Sequence, residues 1–329
     1  MPSTNHTITQ PRHFLEISHL KPDDLREILA ATLADKQKNA AVPPHLRKAA
    51  YFDKTRPMQG RTLAMIFERK STRTRVSFDL AMRQLGGEVI VLNAEEIQLA
   101  RDETLADTAR VMSRYVDAIM IRAANEMTML ELAQNAAIPV INGLTNKSHP
   151  CQIMADLVTF EEKRGPIKGH KIAWVGDANN VCTSWIQAAI LLGAELHVAT
   201  PPEFASTANI VTWARSKQSE LGAAGGRLVV SQSAASAVDG AALVITDTFV
   251  SMGDEIDAAR RLKILAPFQV TNALLSGAAK DALFMHCLPA HRGEEVTSDV
   301  IDGSHSVVWD EAENRTHAQR NILRWCLRA

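Results

Sequence analysis

A run of hydroxyl and guanidinium side chains, Ser71-Thr72-Arg73-Thr74-Arg75, marks a predicted junction between a strand and a helix. Apolar residues 63–67 precede the run, and the amphipathic segment 76–85 follows it. Because a helix N-terminus presents free N–H groups and the positive end of its dipole, it readily binds anions. The hydroxyls add donors, and the planar arginine fork suits phosphate. We therefore predict a phosphate-type anion site here; a capping serine followed by solvated arginines is the structural alternative.

Polar residues also follow five other predicted strands. They are Arg122, His149 to Gln152, Gly176 to Asn180, Asp247, and His286 to Pro289. Ligands of open α/β sheets bind beyond the carboxyl ends of the strands, so these positions predict a site. We interpret His149 and Gln152 as ligand contacts, although a lone loop histidine is more often structural. Asp247 could contact a ligand or simply begin the turn into the next helix.

Cys287 has two chemical interpretations besides a buried structural role. A covalent nucleophile needs a neighbouring base, and none stands beside Cys287 in the sequence. A zinc site would use His286 and His291 as well, but three loosely spaced donors without a fourth are not typical of zinc. The chain also lacks the G-x-G-x-x-G and G-x-x-x-x-G-K-[ST] patterns, so we predict neither a dinucleotide site nor a nucleotide-phosphate loop.

Short apolar runs alternate with helical segments from residue 61 onward, which predicts parallel sheets covered by helices on both faces. Ten predicted strands are too many for one compact sheet, so we divide them near residue 150 into four and six. They are residues 63–67, 89–92, 118–121, 139–141, 172–175, 196–199, 228–230, 243–245, 283–285 and 307–309. A first helix begins near Pro22, a helix over 153–163 joins the halves, and a last helix covers 311–327.

The balance of charge excludes two classes of partner. The 329 residues include 36 Lys and Arg against 37 Asp and Glu, which leaves a net charge of -1. Nucleic acids and membrane surfaces attract clustered positive charge, so we expect neither as a partner. No apolar run approaches the roughly 18–20 residues of a membrane span, and the polar N-terminus lacks a secretory signal. The four scattered cysteines fit no disulfide framework, and we expect a cytoplasmic protein.

The chain resembles the aspartate/ornithine carbamoyltransferase family in motifs that span residues 67–315. In the first half these are Phe67-x-x-x-Ser71-Thr72-Arg73-Thr74-Arg75 and His149-Pro150-Cys151-Gln152. In the second half, Asp247-x-x-x-Ser251-Met252-Gly253, His286-Cys287-Leu288-Pro289 and Glu313-Asn314-Arg315 resemble the ornithine branch. The aspartate branch has His-Pro-Leu-Pro-Arg where this chain has His286-Cys287-Leu288-Pro289-Ala290.

The resemblance implies two doubly wound parallel-sheet α/β domains joined by helices, with the C-terminal helix returning to the first domain. Residues 1–150 plus 316–329 would form a carbamoyl-phosphate-binding domain, and residues 151–315 an ornithine-binding domain. It also implies a homotrimer with active sites at the subunit boundaries, and leaves further assembly open. The expected reaction moves the carbamoyl group of carbamoyl phosphate to the δ-amine of ornithine, giving citrulline and phosphate, without a metal or organic cofactor.

The resemblance also implies roles toward carbamoyl phosphate. The phosphate group would be held by Ser71, Thr72, Arg73, Thr74 and Arg122. Donors to the carbamoyl oxygen would be Thr74, Arg122 and His149. The carbamoyl amide would be oriented by Gln152, the Leu288 carbonyl and Arg315. Gln98 would reach into the site of a neighbouring subunit.

For ornithine, the resemblance implies that Asn180 and the Ser251–Met252 backbone take the α-carboxylate. Asp247 would take the α-ammonium, and Cys287 would lie beside the δ-nitrogen and the carbamoyl group. Catalytic roles would fall to Thr74, Arg122, His149 and Cys287.

Two other functions remain open at this point. One is a carbamoyltransferase for a related amine, such as putrescine or an acylated ornithine; the intact Ser251-Met252-Gly253 favours free ornithine. The other is a binding protein that keeps the fold without turnover, and the presence of both substrate half-sites favours an enzyme. The sequence does not separate a biosynthetic from a catabolic direction.

Overall fold

The computed structural model describes residues 10–93, 103–251 and 255–329. The described residues form two compact units. Those of the first fall within the bounds Met1–Leu15, Val42–Asn146 and Arg320–Ala329, and those of the second within Glu16–Ala41 and Lys147–Gln319. The strands are β1 (Thr62–Phe67), β2 (Glu88–Asn93), β3 (Ala118–Arg122), β4 (Val140–Leu144), β5 (Lys171–Val175), β6 (Glu195–Ala199), β7 (Arg227–Ser231), β8 (Leu243–Ile245) and β9 (Leu283–Met285). The α-helices are α1 (Pro22–Lys38), α2 (Pro44–Ala50), α3 (Thr72–Gln84), α4 (Leu105–Tyr115), α5 (Glu126–Asn135), α6 (Pro150–Arg164), α7 (Asn180–Leu192), α8 (Ala208–Leu221), α9 (Ala234–Val238), α10 (Ala258–Leu265), α11 (Asn272–Leu275), α12 (Ser298–Ile301) and α13 (Val308–Leu327).

The first unit contains a four-stranded sheet in the order β2-β1-β3-β4, and every pairing is parallel. Strand β3 is buried at every position, and β1 at every position after Thr62. Such continuously buried strands are typical of sheets with helices on both faces. The apolar core includes Ile66, Ile119 and Leu132. The predicted parallel α/β architecture is confirmed in this unit.

The end of α13 packs within the first unit. The Phe14 and Trp325 rings meet edge to face with centroids 6.4 Å apart. Arg61 donates a 2.8 Å hydrogen bond from Nη1 to the carbonyl oxygen of Leu327, and Arg324 pairs with Asp53. The last residues therefore lie in the first unit, as the predicted return of the C-terminal helix requires.

The second unit contains a five-stranded parallel sheet in the order β7-β6-β5-β8-β9. The prediction of a sixth strand at residues 307–309 was wrong. Ser306 makes a single bridge opposite Phe284, and the chain enters α13 at Val308. Trp309 is exposed, so the apolar run has no continuous face to place in the sheet. The fold class itself, two parallel-sheet units, is confirmed.

Helix α1 belongs to the second unit, whereas the sequence division at residue 150 assigns it to the first domain. It packs against α6. Arg26 pairs with Glu161 at 2.6 Å and Lys36 pairs with Glu162 at 2.7 Å, both between these two helices. Packing between residues far apart in the chain, which local sequence patterns do not reveal, sets the membership of this helix.

Helix α7 shows how local sequence places a polar group at a strand end. Asn179 caps the helix by accepting hydrogen bonds from the Val181 and Cys182 amides at 2.9 and 3.2 Å. The helix stops at Gly193, whose φ of +79° lies in the left-handed region that glycine adopts easily. Across the described ranges, every helix falls short of the length and hydropathy of a membrane span.

Candidate active site

The predicted helix start after β1 is present in the first unit. Ser71 is the N-cap of α3, and its Oγ accepts a 3.3 Å hydrogen bond from the Thr74 amide. Thr74 is buried, while Thr72 and Arg73 are exposed at the beginning of the helix. The cap leaves the first amides of α3 and an exposed guanidinium at one helix end, an arrangement that can bind an anion. Phosphate binding itself stays a prediction.

Arg122 lies at the same edge of the first sheet as the start of α3. It is the last residue of β3 and stands in register with Phe67, the last residue of β1. Its carbonyl accepts a 3.0 Å hydrogen bond from the Glu68 amide, and the residue is buried. The topology therefore places Arg122 and the Ser71 to Thr74 run at the carboxyl ends of two adjacent parallel strands.

The second unit holds His149 and Gln152 at the beginning of α6. His149 is the N-cap residue, and its amide donates a 2.9 Å hydrogen bond to Ser184 Oγ. The Gln152 Nε2 donates to Asp156 Oδ1 and to Glu311 Oε1, both at 2.8 Å. The side chain is almost fully buried, yet its Oε1 accepts no hydrogen bond from the described residues. Gln152 thus keeps a free acceptor at a buried position.

Asp247 and Cys287 meet at the ends of β8 and β9. The Cys287 thiol donates to Asp247 Oδ1 at 3.1 Å, and the same oxygen accepts a 2.8 Å bond from the Thr248 amide. Asn179 Nδ2 donates to Asp247 Oδ2 at 2.7 Å. Burial and the adjacent carboxylate raise the pKa of the Cys287 thiol well above its usual value. A neutral thiol is a poor nucleophile, so the geometry disfavours the covalent role for Cys287.

The buried His286 ring holds the loop after β9 through two hydrogen bonds. Its Nδ1 accepts a 2.9 Å bond from the Leu288 amide, which places the ring proton on Nε2, 3.2 Å from Glu295 Oε1. Both His286 and Glu295 are fully buried. Leu288 has a φ of +57°, a region that a branched residue occupies only when its surroundings hold it there. The peptide bond between Leu288 and Pro289 is cis.

The geometry around Cys287 does not favour a metal site. Asp247, His286 and Cys287 bring one possible ligand atom each within 4.8 Å of one another. However, both imidazole nitrogens of His286 are engaged, one by Leu288 and the other by Glu295. His286 could bind a metal only by giving up one of these contacts.

Two buried carboxyl groups, those of Asp156 and Glu311, accept hydrogen bonds from Gln152. Burial raises the pKa of Asp156 to about 7 and that of Glu311 well above its usual value. Trp185 Nε1 donates to Asp156 Oδ2 at 3.0 Å, and the His286 amide donates to Glu311 Oε2 at 2.9 Å. The charge of Arg315 opposes part of the rise at Asp156. The two carboxyls are also hydrogen-bonded to each other, a contact that lowers the pKa of Asp156 and raises that of Glu311, so the buried pair favours a proton on Glu311.

The remaining predicted positions fall in both described and undescribed segments. Asn180 opens α7 beside Asn179, Ser251 follows β8, and both side chains are half-buried. Arg315 is buried in α13. The predicted positions Gln98 and Met252 lie outside the described residues.

Sequence reasoning assigned no role to three participants, Asp156, Asn179 and Glu311, although Asn179 lies in the run Gly176 to Asn180. Asp156 stands four residues after Gln152, a spacing that places both side chains on one face of a helix. That signal could have identified Asp156. Asn179 precedes the first residue of α7 and carried a capping signal. Glu311 contacts Gln152 across 159 residues of sequence, so no local pattern revealed it.

Two domain profiles of one known protein family match the chain, one after the other along the sequence. The profile described as "Aspartate/ornithine carbamoyltransferase, carbamoyl-P binding domain" matches residues 12–162. The profile described as "Aspartate/ornithine carbamoyltransferase, Asp/Orn binding domain" matches residues 168–326. Together they account for nearly the whole chain.

Individual relatives and solved structures agree with the profiles. Ornithine carbamoyltransferase from Bradyrhizobium diazoefficiens is 56% identical over 319 residues, covering 97% of this chain and 98% of the relative. That from Rhodopseudomonas palustris strain BisA53 is also 56% identical, with the same coverage. The Pyrococcus furiosus structure matches with a TM-score of 0.87 and 46% identity over 96% of each chain. The Burkholderia thailandensis structure matches with a TM-score of 0.82 and 42% identity over 96% of this chain and 98% of that chain.

Proposed function

The chain belongs to the aspartate/ornithine carbamoyltransferase family, and from this premise we propose that it transfers the carbamoyl group of carbamoyl phosphate to the δ-amine of L-ornithine. The observation that carries the choice of ornithine is the contact between Asp247 and Cys287. It sets a carboxylate, which can pair with an α-ammonium, beside a neutral thiol, which does not stabilise a charged amine. High identity to ornithine carbamoyltransferases over nearly the full chain supports the same choice.

The first unit supplies the groups proposed to hold phosphate. The exposed Arg73 and the free amides at the start of α3 suit a dianion, and Ser71 and Thr72 add hydroxyl donors. Arg122 ends the neighbouring strand and carries a second guanidinium at that edge. These groups would bind the phosphate in carbamoyl phosphate and stabilise it as it leaves.

The second unit supplies the groups proposed to hold the amino acid. Asp247 would pair with the α-ammonium, while Asn180 and the backbone at Ser251 and Met252 would take the α-carboxylate. The δ-nitrogen would then lie at Cys287. An aqueous alkylammonium has a pKa near ~10.4, so roughly one ornithine in a thousand carries a neutral δ-amine at pH ~7.4. A half-buried, uncharged thiol disfavours the ammonium form, whereas the Asp247 carboxylate 3.1 Å from that thiol favours it. The reactive fraction increases only if the δ-nitrogen lies on the side of Cys287 away from Asp247.

The reaction balances without a covalent enzyme intermediate. The neutral δ-nitrogen attacks the carbamoyl carbon and forms a tetrahedral oxyanion, to which Thr74, Arg122 and His149 would donate. The bond between that carbon and the bridging phosphate oxygen then breaks, and the electron pair leaves with phosphate. The δ-nitrogen passes one proton to the departing phosphate, which leaves as hydrogen phosphate, and citrulline remains. Preorganised donors aimed at the developing charge are the main rate-enhancing element of such a step.

We extend the proposal to assembly. The family resemblance predicts a homotrimer in which Gln98 of one subunit reaches the site of the next. Mixing inactive Gln98→Ala subunits with inactive Arg73→Ala subunits would then restore part of the activity, because some sites in the hybrids combine two unaltered surfaces. Proven mixing of two inactive parents without recovery would overturn the sharing of sites.

A panel of amine acceptors tests the proposed substrate. Purified protein is incubated with carbamoyl phosphate and, separately, with L-ornithine, putrescine, N-acetyl-L-ornithine and L-aspartate, and phosphate release and the carbamoylated product are measured. We expect turnover with ornithine and a much lower kcat/KM with every other amine. A higher kcat/KM with any other amine, or no turnover with any of them, would overturn the proposal.

A further inference from the structure

The hydrogen-bond partners around the Gln152 amide determine its orientation. Its Nε2 lies 2.8 Å from one oxygen of Asp156 and 2.8 Å from one oxygen of Glu311. A rotated amide would put Oε1 against these two carboxyl oxygens, where three acceptors would share at most the one proton that the pair retains. The observed orientation instead uses both N–H groups of the amide and leaves Oε1 as a buried acceptor open to another donor.

The two carboxyl groups are themselves held in place. Asp156 Oδ2 accepts from Trp185 Nε1 at 3.0 Å, and Glu311 Oε2 accepts from the His286 amide at 2.9 Å. Each carboxyl therefore uses one oxygen to anchor itself and the other to bind Gln152. The anchors come from α7 and from the loop after β9, so α6, α7, α13 and that loop together determine where the amide oxygen lies.

We propose that Asp156 and Glu311 are positioning residues, which fix the Gln152 amide so that its oxygen accepts a hydrogen bond from the NH2 group of the carbamoyl substrate. This inference rests on the proposed function and extends it to two residues that touch no substrate. The consequence is selectivity for an acyl phosphate bearing an NH2 group over one bearing a methyl group, because a fixed acceptor rewards the N–H donor and gains nothing from the methyl.

Asp156→Asn tests the idea because it removes the preference for one amide orientation. The new NH2 group must face either the Trp185 N–H or Gln152. If the NH2 group faces Trp185, two N–H donors oppose each other. If it faces Gln152, it needs an acceptor there, which favours the rotated glutamine amide with Oε1 toward residue 156. The rotated amide would present N–H groups, and no acceptor, to the carbamoyl nitrogen.

The measurement compares two ligands of nearly the same shape, carbamoyl phosphate and acetyl phosphate, for which affinities are measured as inhibition or binding constants. In Asp156→Asn, we expect carbamoyl phosphate to bind about tenfold more weakly, the loss typical of one hydrogen bond. Acetyl phosphate and inorganic phosphate should change by less than about twofold, since neither has an N–H for the glutamine oxygen. Glu311→Gln should act in the same direction and provides a second variant if the first fails to fold.

Thr159→Val is the matched control. Thr159 is buried on α6 and accepts a 2.9 Å hydrogen bond from Asn314 Nδ2 of α13, so its loss breaks a buried link between the helices that carry Gln152 and Glu311. We expect this variant to lower stability and to leave the ratio of the two acyl phosphate affinities unchanged.

Equal weakening of carbamoyl phosphate and acetyl phosphate in Asp156→Asn, or a change in neither, would overturn the inference. The same shift in ratio with Thr159→Val would overturn it as well, since general damage to the helix contact would then explain the effect. A wild-type protein that binds carbamoyl phosphate but forms no citrulline would instead refute the proposed function, and the affinity ratio would still decide the role of Asp156.

Discussion

The Cys287 sulfur lies 3.1 Å from Oδ1 of Asp247, and the thiol donates the hydrogen bond. Burial, and next the adjacent Asp247 carboxylate, raise the pKa of the Cys287 thiol well above its usual value, so the thiol keeps its proton. The Asp247 carboxylate also accepts hydrogen bonds from Asn179 and from the Thr248 amide. This pair of side chains is the one that we propose to bind the two nitrogens of ornithine.

Asp247→Asn should weaken ornithine about 100-fold while carbamoyl phosphate changes little, because a charge-assisted hydrogen bond is worth about 1.5–3 kcal/mol. L-norvaline, which keeps the α-ammonium and lacks the δ-amine, should weaken in parallel as an inhibitor. Asp257→Asn, at a half-buried position that has no assigned role toward either substrate, is the control for a change in charge. Equal weakening of both substrates would mean that Asp247 supports the fold and does not bind the ammonium.

Cys287→Ser should retain turnover with a raised KM for ornithine, because serine keeps a donor to Asp247 and no covalent step requires sulfur. The wild-type protein should release no phosphate beyond slow hydrolysis when ornithine is absent. Phosphate release is followed with carbamoyl phosphate alone and then with ornithine added. A rapid burst of about one phosphate per site without ornithine, together with a sulfur-bound carbamoyl group by mass spectrometry, would contradict the neutral-thiol role.

Arg73→Ala should weaken both carbamoyl phosphate and inorganic phosphate about 100-fold, since a guanidinium that binds phosphate forms two charge-assisted bonds. Arg75→Ala is the matched control, because both arginines are exposed in the first turn of α3 and only Arg73 is assigned to phosphate. Calorimetry with inorganic phosphate measures the difference. The assignment fails if the two variants lose affinity by the same factor.

The buried pair of Asp156 and Glu311 should make a contribution to stability that falls as pH rises from about 4 to 7. Burial raises the pKa of Asp156 from 3.8 to about 7 and also raises that of Glu311. Within this window the folded chain holds protons that the unfolded chain has released, so raising the pH favours unfolding. Asp156→Asn removes part of this difference and should show a smaller fall in Tm between these pH values. A fall as large as in the wild type would contradict the buried-pair assignment.

The parallel sheets were predictable because their strands are continuous apolar runs; residues 172–175, for example, became β5 (Lys171–Val175). The run at 307–309 was not a strand, and the signal against it was present: Asp310 and Glu311 stand in the first turn of α13, where acidic residues favour a helix start. Local apolar character was therefore informative only where no capping signal overlapped it.

The motifs of the candidate site were predictable from the sequence, whereas the buried contacts that hold the site residues in place were not. Ser71 and Gln152 lie at the beginnings of helices, and the alternation of apolar runs with helical segments in the sequence predicts those positions. The buried contact between Gln152 and Glu311 joins residues 159 positions apart, and the placement of α1 likewise depends on contacts with α6. Such contacts arise from packing, which leaves no periodic trace in the sequence.

Isotope labels on both substrates identify the bond that the protein forms. Carbamoyl phosphate labelled with ¹³C is incubated with the protein and with L-ornithine labelled with ¹⁵N at the δ-position, and the product is analysed by NMR. We predict citrulline in which the ¹³C carbon is bonded to the δ-¹⁵N, formed in equal amount with phosphate. Transfer of the carbon to the α-nitrogen, or phosphate release without transfer to ornithine, would contradict the account.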